Sequence, residues 1–138
     1  MLLAGNFAFK WSRLMAVKLG RSTPILRMFD ITKAREFYIN YLGYKVDWEH
    51  RFEPTLPLYM QVSRDDSILH LSEHHGDGCP GQCLRIGIEN IEEFHKELQS
   101  KNYNYMRPGL ETREWGERAV TVIDPFGNKL CYWEAIEK

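Results

Sequence analysis

The run Pro24-Ile-Leu-Arg-Met-Phe-Asp-Ile-Thr-Lys-Ala-Arg-Glu-Phe-Tyr-Ile-Asn-Tyr-Leu-Gly43 decides the fold. Its first part, Pro24 to Phe29, is apolar and short, which fits a buried strand. Asp30 and Thr32 follow, and either side chain can accept a hydrogen bond from a backbone N–H two or three residues on, as a helix N-cap does. A helix is therefore predicted from about Ile31. Its apolar positions, Ile31, Ala34, Phe37, Tyr38, Tyr41 and Leu42, recur at spacings of three and four, the stripe that a helix turns toward a sheet. Gly43 supplies the left-handed residue that ends it.

Downstream of Gly43, three runs alternate with period two: Tyr44–Trp48, Leu58–Val62 and Ser67–Leu71. Turn material separates them, Glu53-Pro54 and then Arg64-Asp65-Asp66, so an antiparallel meander is predicted. The stretch His74-His-Gly-Asp-Gly-Cys-Pro-Gly81 holds three glycines, a proline and two histidines, and no regular element accepts that mixture. It joins two halves. The second half repeats the order of the first: a strand over Cys83–Ile88, a helix from Ile91 to about Lys101, then strands near Tyr103–Met106, Arg118–Ile123 and Lys129–Trp133. Helix positions 31, 34 and 38 find counterparts at 91, 94 and 98, a constant offset. The fold class is thus α+β, two βαβββ modules forming a curved mixed sheet with helices on the outer face. Residues 1–22 read as an N-terminal extension, with Met15-Ala-Val-Lys-Leu19 as the start of a first strand. Residues 23–138 read as a single domain, with modules at about 23–75 and 82–134.

Composition bounds the function. A chain of 138 residues has room for one domain with a real core. Lys and Arg number 18 against 19 Asp and Glu, so no summed field favours nucleic acid or an anionic membrane, and neither is an expected partner. No apolar stretch approaches the ~20 residues of a membrane span, and Lys10, Ser12 and Arg13 interrupt the N-terminal segment, so no signal peptide is expected. Three cysteines, Cys79, Cys83 and Cys131, are an odd set in a chain large enough to fold without disulfides, which favours a reducing, cytoplasmic setting.

Two strings carry a family resemblance. The first runs from Asp30 through Ala34-Arg-Glu-Phe-Tyr38 to Tyr41-Leu-Gly-Tyr44, and the second is Asp124-Pro-Phe-Gly-Asn-Lys-Leu130. Together they resemble the glyoxalase/bleomycin-resistance/extradiol-dioxygenase group, the vicinal oxygen chelate superfamily, over residues 23 to 134. Glu114-Trp-Gly-Glu-Arg118 ahead of Asp124-Pro-Phe-Gly-Asn128 is most similar to the bleomycin-resistance branch. The Asp-Pro-x-Gly-Asn string is also simply a turn, with Pro125 presetting φ and Gly127 or Asn128 accepting a positive one.

Enzymes of that superfamily hold a divalent ion in the hollow of the sheet. The resemblance places Thr23, His70, Cys83 and Cys131 at the ligand positions, and only His70 is of a type the family normally uses. A second set, His74, His75, Cys79 and Cys83, matches no familiar zinc spacing. No metal, cofactor or catalytic residue is assigned. A metal-dependent glyoxalase-like lyase or related transferase is the alternative reading.

Alternation places an aromatic and cationic set in the hollow instead: Trp48, Phe52, Tyr59, His70, Arg85, Trp115, Arg118 and Trp133, with Arg27 and Phe29 beside them. Such a surface suits stacking and cation–π contact with a flat ligand. The resemblance implies antibiotic binding and antibiotic resistance, with a homodimer sequestering an aromatic or glycopeptide antibiotic of bleomycin type in a groove. One departure is charge, since proteins that hold such cations tend to be acidic and this chain is nearly neutral.

Overall fold

The computed structural model describes residues 15–137. After an exposed lead-in come β1 (Ile25–Arg27) and α1 (Ile31–Arg35), which continues as a π-helical segment over Glu36–Tyr41. Strands β2 (Lys45–His50), β3 (Tyr59–Arg64) and β4 (Ser67–Ser72) complete the first module. The second repeats it with β5 (Cys83–Gly87), α2 (Ile91–Ser100), β6 (Glu111–Arg113), β7 (Glu117–Ile123) and β8 (Lys129–Ala135). Each module carries its own four-stranded mixed sheet, in the orders β1-β4-β3-β2 and β5-β8-β7-β6. In each, the first strand runs parallel to the last and the other three form the meander. The class is α+β.

Asp30 caps α1 by accepting from the Lys33 N–H at 2.9 Å. The π-helical segment follows where Phe37, Tyr38 and Tyr41 are all buried, with Leu42 N–H reaching back to the Phe37 carbonyl. Helix α2 begins differently. Asn90 makes no side-chain cap, and the Glu134 carboxylate of β8 accepts from the N–H groups of Asn90 and Ile91 at 2.8 and 3.2 Å. A carboxylate there also complements the helix dipole. The matched positions 91, 94 and 98 are buried, as are 34 and 38.

One continuous core joins the modules, running from Leu26, Phe37 and Leu71 to Phe94, Val120 and Tyr132. Polar clamps reinforce it: Tyr38 donates to Asp124 at 2.6 Å, and the Tyr44 and Tyr132 hydroxyls meet at 2.9 Å. Arg64 grips Glu97 of α2 with two bonds of 2.7 and 2.9 Å and also donates to the Leu42 carbonyl at 2.8 Å. Gly43 makes that grip possible. Its φ is +77°, and a Cβ there would lie 2.8 Å from the Arg64 guanidinium. Gly43→Ala should therefore cost about 1–2 kcal/mol through left-handed strain alone, read as a lower urea midpoint. An unchanged midpoint would contradict this account.

Two sequence expectations need correction. Met15–Leu19 forms no strand; Val17 and Leu19 are exposed, and residues 1–14 lie outside the described residues. The strand expected near Tyr103–Met106 is a turn. Tyr103 stacks on Tyr41 at 4.6 Å and Met106 packs against the core, so those apolar residues serve the helix layer instead. The pairing strand is β6, whose Glu-Thr-Arg sequence has no hydrophobic alternation to announce it.

Candidate functional site

Core-facing residues alternate with residues on an open face in both sheets. On the first sheet, Ile25, His70, Gln61 and Trp48 stand in one cross-strand row. A β-bulge between Val46 and Trp48 sets Asp47 and Trp48 together opposite Gln61. Trp48 lies nearly parallel to Tyr59, at 5.9 Å and 10°, and both rings meet His70 edge-on. Phe52, in the β2–β3 connection, is exposed and touches His50 and His74 edge-on at 4.8 and 5.9 Å. The structure thus brings Trp48, Tyr59 and His70 into one cluster, with Phe52 at its end.

A hydrogen-bond chain fixes this face. Gln61 donates its amide to Asp47 at 3.1 Å, so its carbonyl oxygen accepts from His70 Nε2 at 2.9 Å. His70 Nδ1 then accepts from the Tyr59 hydroxyl at 2.6 Å. Hydrogen bonds from Ser63 and Gln61 hold the Asp47 carboxyl below its ordinary range. Burial lowers the His70 pKa below its usual 6.5, in keeping with a neutral ring. The unfolded chain takes up that proton more readily, so the contribution to stability is present above pH 6.5 and declines as pH falls below it. An NMR titration should place the His70 midpoint under 6.5. A midpoint at or above the ordinary value would contradict the assignment.

On the second sheet, Arg85, Cys131 and Thr121 share one row, and Gly87, Trp133 and Ala119 the next. Glu117, almost fully buried, accepts from Arg85 at 2.9 Å and from the Trp115 indole N–H, with Arg113 at 3.8 Å. The Arg85 guanidinium, aided by Trp115, holds that carboxyl below the usual carboxylate range. Arg85 lies over the Trp133 ring at 5.0 Å and Arg113 over Trp115 at 5.5 Å. This face therefore joins Arg85, Trp115 and Trp133 around a carboxylate.

Arg118 departs from expectation. Register pairs Trp133 with Ala119 and Arg118 with Glu134, so Arg118 projects to the helix side, where it bonds Glu92 of α2. Placing Trp133 and Arg118 on one face ignored that pairing. Phe29 meets Phe126 of the Asp-Pro-Phe-Gly-Asn turn at 6.0 Å, beneath the Arg27 guanidinium. Gln61, Asp47, Arg113 and Glu117 were not singled out from sequence. Gln61 lay two residues from Tyr59 and Glu117 two from Trp115, so simple alternation held the signal for both.

The superfamily's metal positions do not fit an ion here. Both ring nitrogens of His70 are engaged by Tyr59 and Gln61, and Cys131 Sγ accepts from Arg113 at 3.4 Å. Cys79 and Cys83 are exposed free thiols. Among the described residues, no group of three or more His, Cys, Asp or Glu side chains is arranged to hold a metal. No described helix is long and apolar enough to cross a membrane.

Two equivalent α+β modules, each presenting one open sheet face of aromatic and charged side chains, define the class. The chain belongs to the glyoxalase superfamily, whose family model matches residues 10–138. It is 24% identical over 131 residues to the bleomycin resistance protein of Geobacillus stearothermophilus, covering 85% of this chain and 98% of that protein. The bleomycin resistance protein of Staphylococcus aureus matches with the same figures. Among solved structures, a bleomycin-binding protein complexed with bleomycin superposes with a TM-score of 0.62 at 24% identity, over 84% of this chain and 98% of that one. An antibiotic-binding protein from Streptomyces sp. CB03234 gives 0.65 at 19% identity, over 88% and 98%. A glyoxalase-related enzyme from Clostridium phytofermentans gives 0.67 at 18%, over 88% and 99%. These structural likenesses establish the fold.

Proposed function

We propose that this chain binds a small aromatic or glycopeptide antibiotic of bleomycin type and sequesters it unchanged in a groove of a homodimer. The observation that carries the reading is the state of His70: both ring nitrogens are hydrogen-bonded, so the ring is a wall of an aromatic surface. Stacking and cation–π contacts on Trp48, Tyr59, Trp115 and Trp133 supply affinity without bond making. The names of the relatives support the same role.

Homodimerisation belongs to this reading because the two aromatic faces lie on separate sheets, ended by β1 and β5. A second copy would set the first sheet of one chain, with Trp48, Phe52, Tyr59 and His70, against the second sheet of the other, with Arg85, Trp115 and Trp133. A single domain over 23–138 and a cytoplasmic setting complete it, the latter supported by three free thiols. With a net charge of −1, long-range steering of a cationic ligand is weak, so affinity rests on contact.

Titration calorimetry with bleomycin, phleomycin and other aromatic antibiotics should give saturable heat with at least one of them. Silence across the panel would overturn the reading. Stoichiometric divalent metal in protein purified without chelator would replace it with a metal-dependent lyase.

A further inference from the structure

A groove of about 760 Å³ lies where the β3–β4 hairpin meets the corner between β5 and α2, apart from the aromatic rows of the open faces. A cavity of that size suits a small molecule. Its two sides come from different modules: the turn of the hairpin supplies Asp65 and Asp66, and the start of α2 supplies Glu89 and Glu93. Between them the bed is apolar. Ile86 of β5 and the adjoining Ile88, both partly buried, form it together with Phe94 and Tyr132. The hydroxyls of the bed are already used, since Tyr44 meets Tyr132 at 2.9 Å and Ser67 at 2.7 Å.

Charge decides what complements this bed. Glu97 also lines the groove, but Arg64 takes both of its oxygens, at 2.7 and 2.9 Å, and so is not available to the other acids. Arg21 reaches Asp66 at 3.7 Å and Lys96 reaches Glu93 at 3.4 Å. All four of those side chains are mostly exposed, so the pairs are weak and give way to a ligand. Among the described residues, Asp65 and Glu89 enter no ion pair, and they stand on opposite sides. An anion is not favoured here, because Glu134 already accepts from the first N–H groups of α2, at Asn90 and Ile91. A cation is. The Arg64 guanidinium itself lies over the Phe94 ring at 5.7 Å.

Across the groove the order is therefore carboxylate, apolar bed, carboxylate, and its complement is a molecule with a cation at each end and an apolar middle. We propose that this groove binds an elongated organic dication, a linear diamine or polyamine. One ammonium lies toward Asp65 and Asp66, the methylene chain crosses Ile86 and Ile88, and the other ammonium lies toward Glu89 and Glu93. Such an occupant ties the hairpin of the first module to the helix of the second. Binding here does not depend on what the open faces hold.

Titration of the full chain with hexamethylenediamine and with spermidine, read from the NMR signals of isotope-labelled isoleucine methyl groups, tests it. The Ile86 and Ile88 methyls should shift saturably with at least one of the two, with an affinity that falls as ionic strength rises. Hexylamine, with one cation, should bind about five-fold more weakly than the diamine, and uncharged hexanediol should leave the methyls unshifted. The triple variant Asp65→Asn, Glu89→Gln, Glu93→Gln changes exposed positions only and should lose about ten-fold in affinity. Trp48→Ala and Trp115→Ala should bind the diamine as wild type does. Methyl signals indifferent to both amines, equal affinity for hexylamine or hexanediol, or a triple variant that binds undiminished would overturn the proposal. So would loss of binding in either tryptophan variant, which would move the diamine to an open face.

Discussion

Replacing Asp124 by Ala should destabilise the fold by about 3 kcal/mol or more, the range for breaking a buried, fully hydrogen-bonded charged group by removing one partner. The carboxylate sits at the point where three parts of the chain meet. One oxygen accepts from the Phe126 and Asn128 backbone N–H groups at 2.9 and 2.8 Å. The other accepts from the Asn128 amide at 2.9 Å and from the Tyr38 hydroxyl of the α1 region at 2.6 Å. Asn128 donates onward to the Arg27 carbonyl of β1 at 3.2 Å. Burial, with Asp124 adding to it, pushes the Tyr38 hydroxyl well above the ordinary tyrosine range, so it remains a donor. Truncation at 124 strands these donors in the core. Tyr38→Phe, which removes one bond to the carboxylate and keeps the ring, should cost less, about 1.5–2 kcal/mol. The double variant should cost less than the sum, because both changes remove the same contact. Urea denaturation monitored by circular dichroism measures all three, and a full-strength midpoint in Asp124→Ala would refute the clamp.

Ligand affinity is the second large effect. Under the proposed function, Trp48→Ala or Trp115→Ala should each weaken antibiotic binding by about 2 kcal/mol, roughly thirty-fold, as truncation of an aromatic anchor does. Trp48 is about two-fifths exposed and Trp115 about seven-tenths, so each loss should leave folding nearly intact. Arg118→Ala is the internal control. Its guanidinium is bonded to Glu92 on the helix side, so affinity should not change. Calorimetry on the three variants reads the difference. Equal affinities for wild type and both tryptophan variants would remove the aromatic faces from the binding site.

The contrast between Trp133 and Arg118 shows where sequence reading stops. Period-two alternation says that neighbours face opposite ways, but only cross-strand pairing says which parity faces which layer. Trp133 opposite Ala119 settles the question for β7, and nothing local to residues 117–123 contains it. Strand β6 was hidden for a related reason, since a short polar edge strand is defined by its partner rather than by its own pattern. The bulge that turns Asp47 and Trp48 to one side of Gln61 is likewise a property of two strands together.

Local chemistry alone determined the elements that are self-sufficient. The Asp30 cap, the α1 stripe, the Gly43 stop and the repeated spacing at 91, 94 and 98 are readable because their causes lie within a few residues. With the period-two runs they give two βαβββ modules, while the superfamily was legible as a resemblance carried by the strings Asp30–Tyr44 and Asp124–Leu130. Tertiary structure decided everything that depends on partners distant in the chain. Examples are Glu134 capping α2 from β8, Asp124 tying α1 to a turn 86 residues away, and His70 held by Tyr59 and Gln61. Hydrogen-bond saturation of a side chain is a three-dimensional quantity, and for His70 it is the observation on which the proposed function rests.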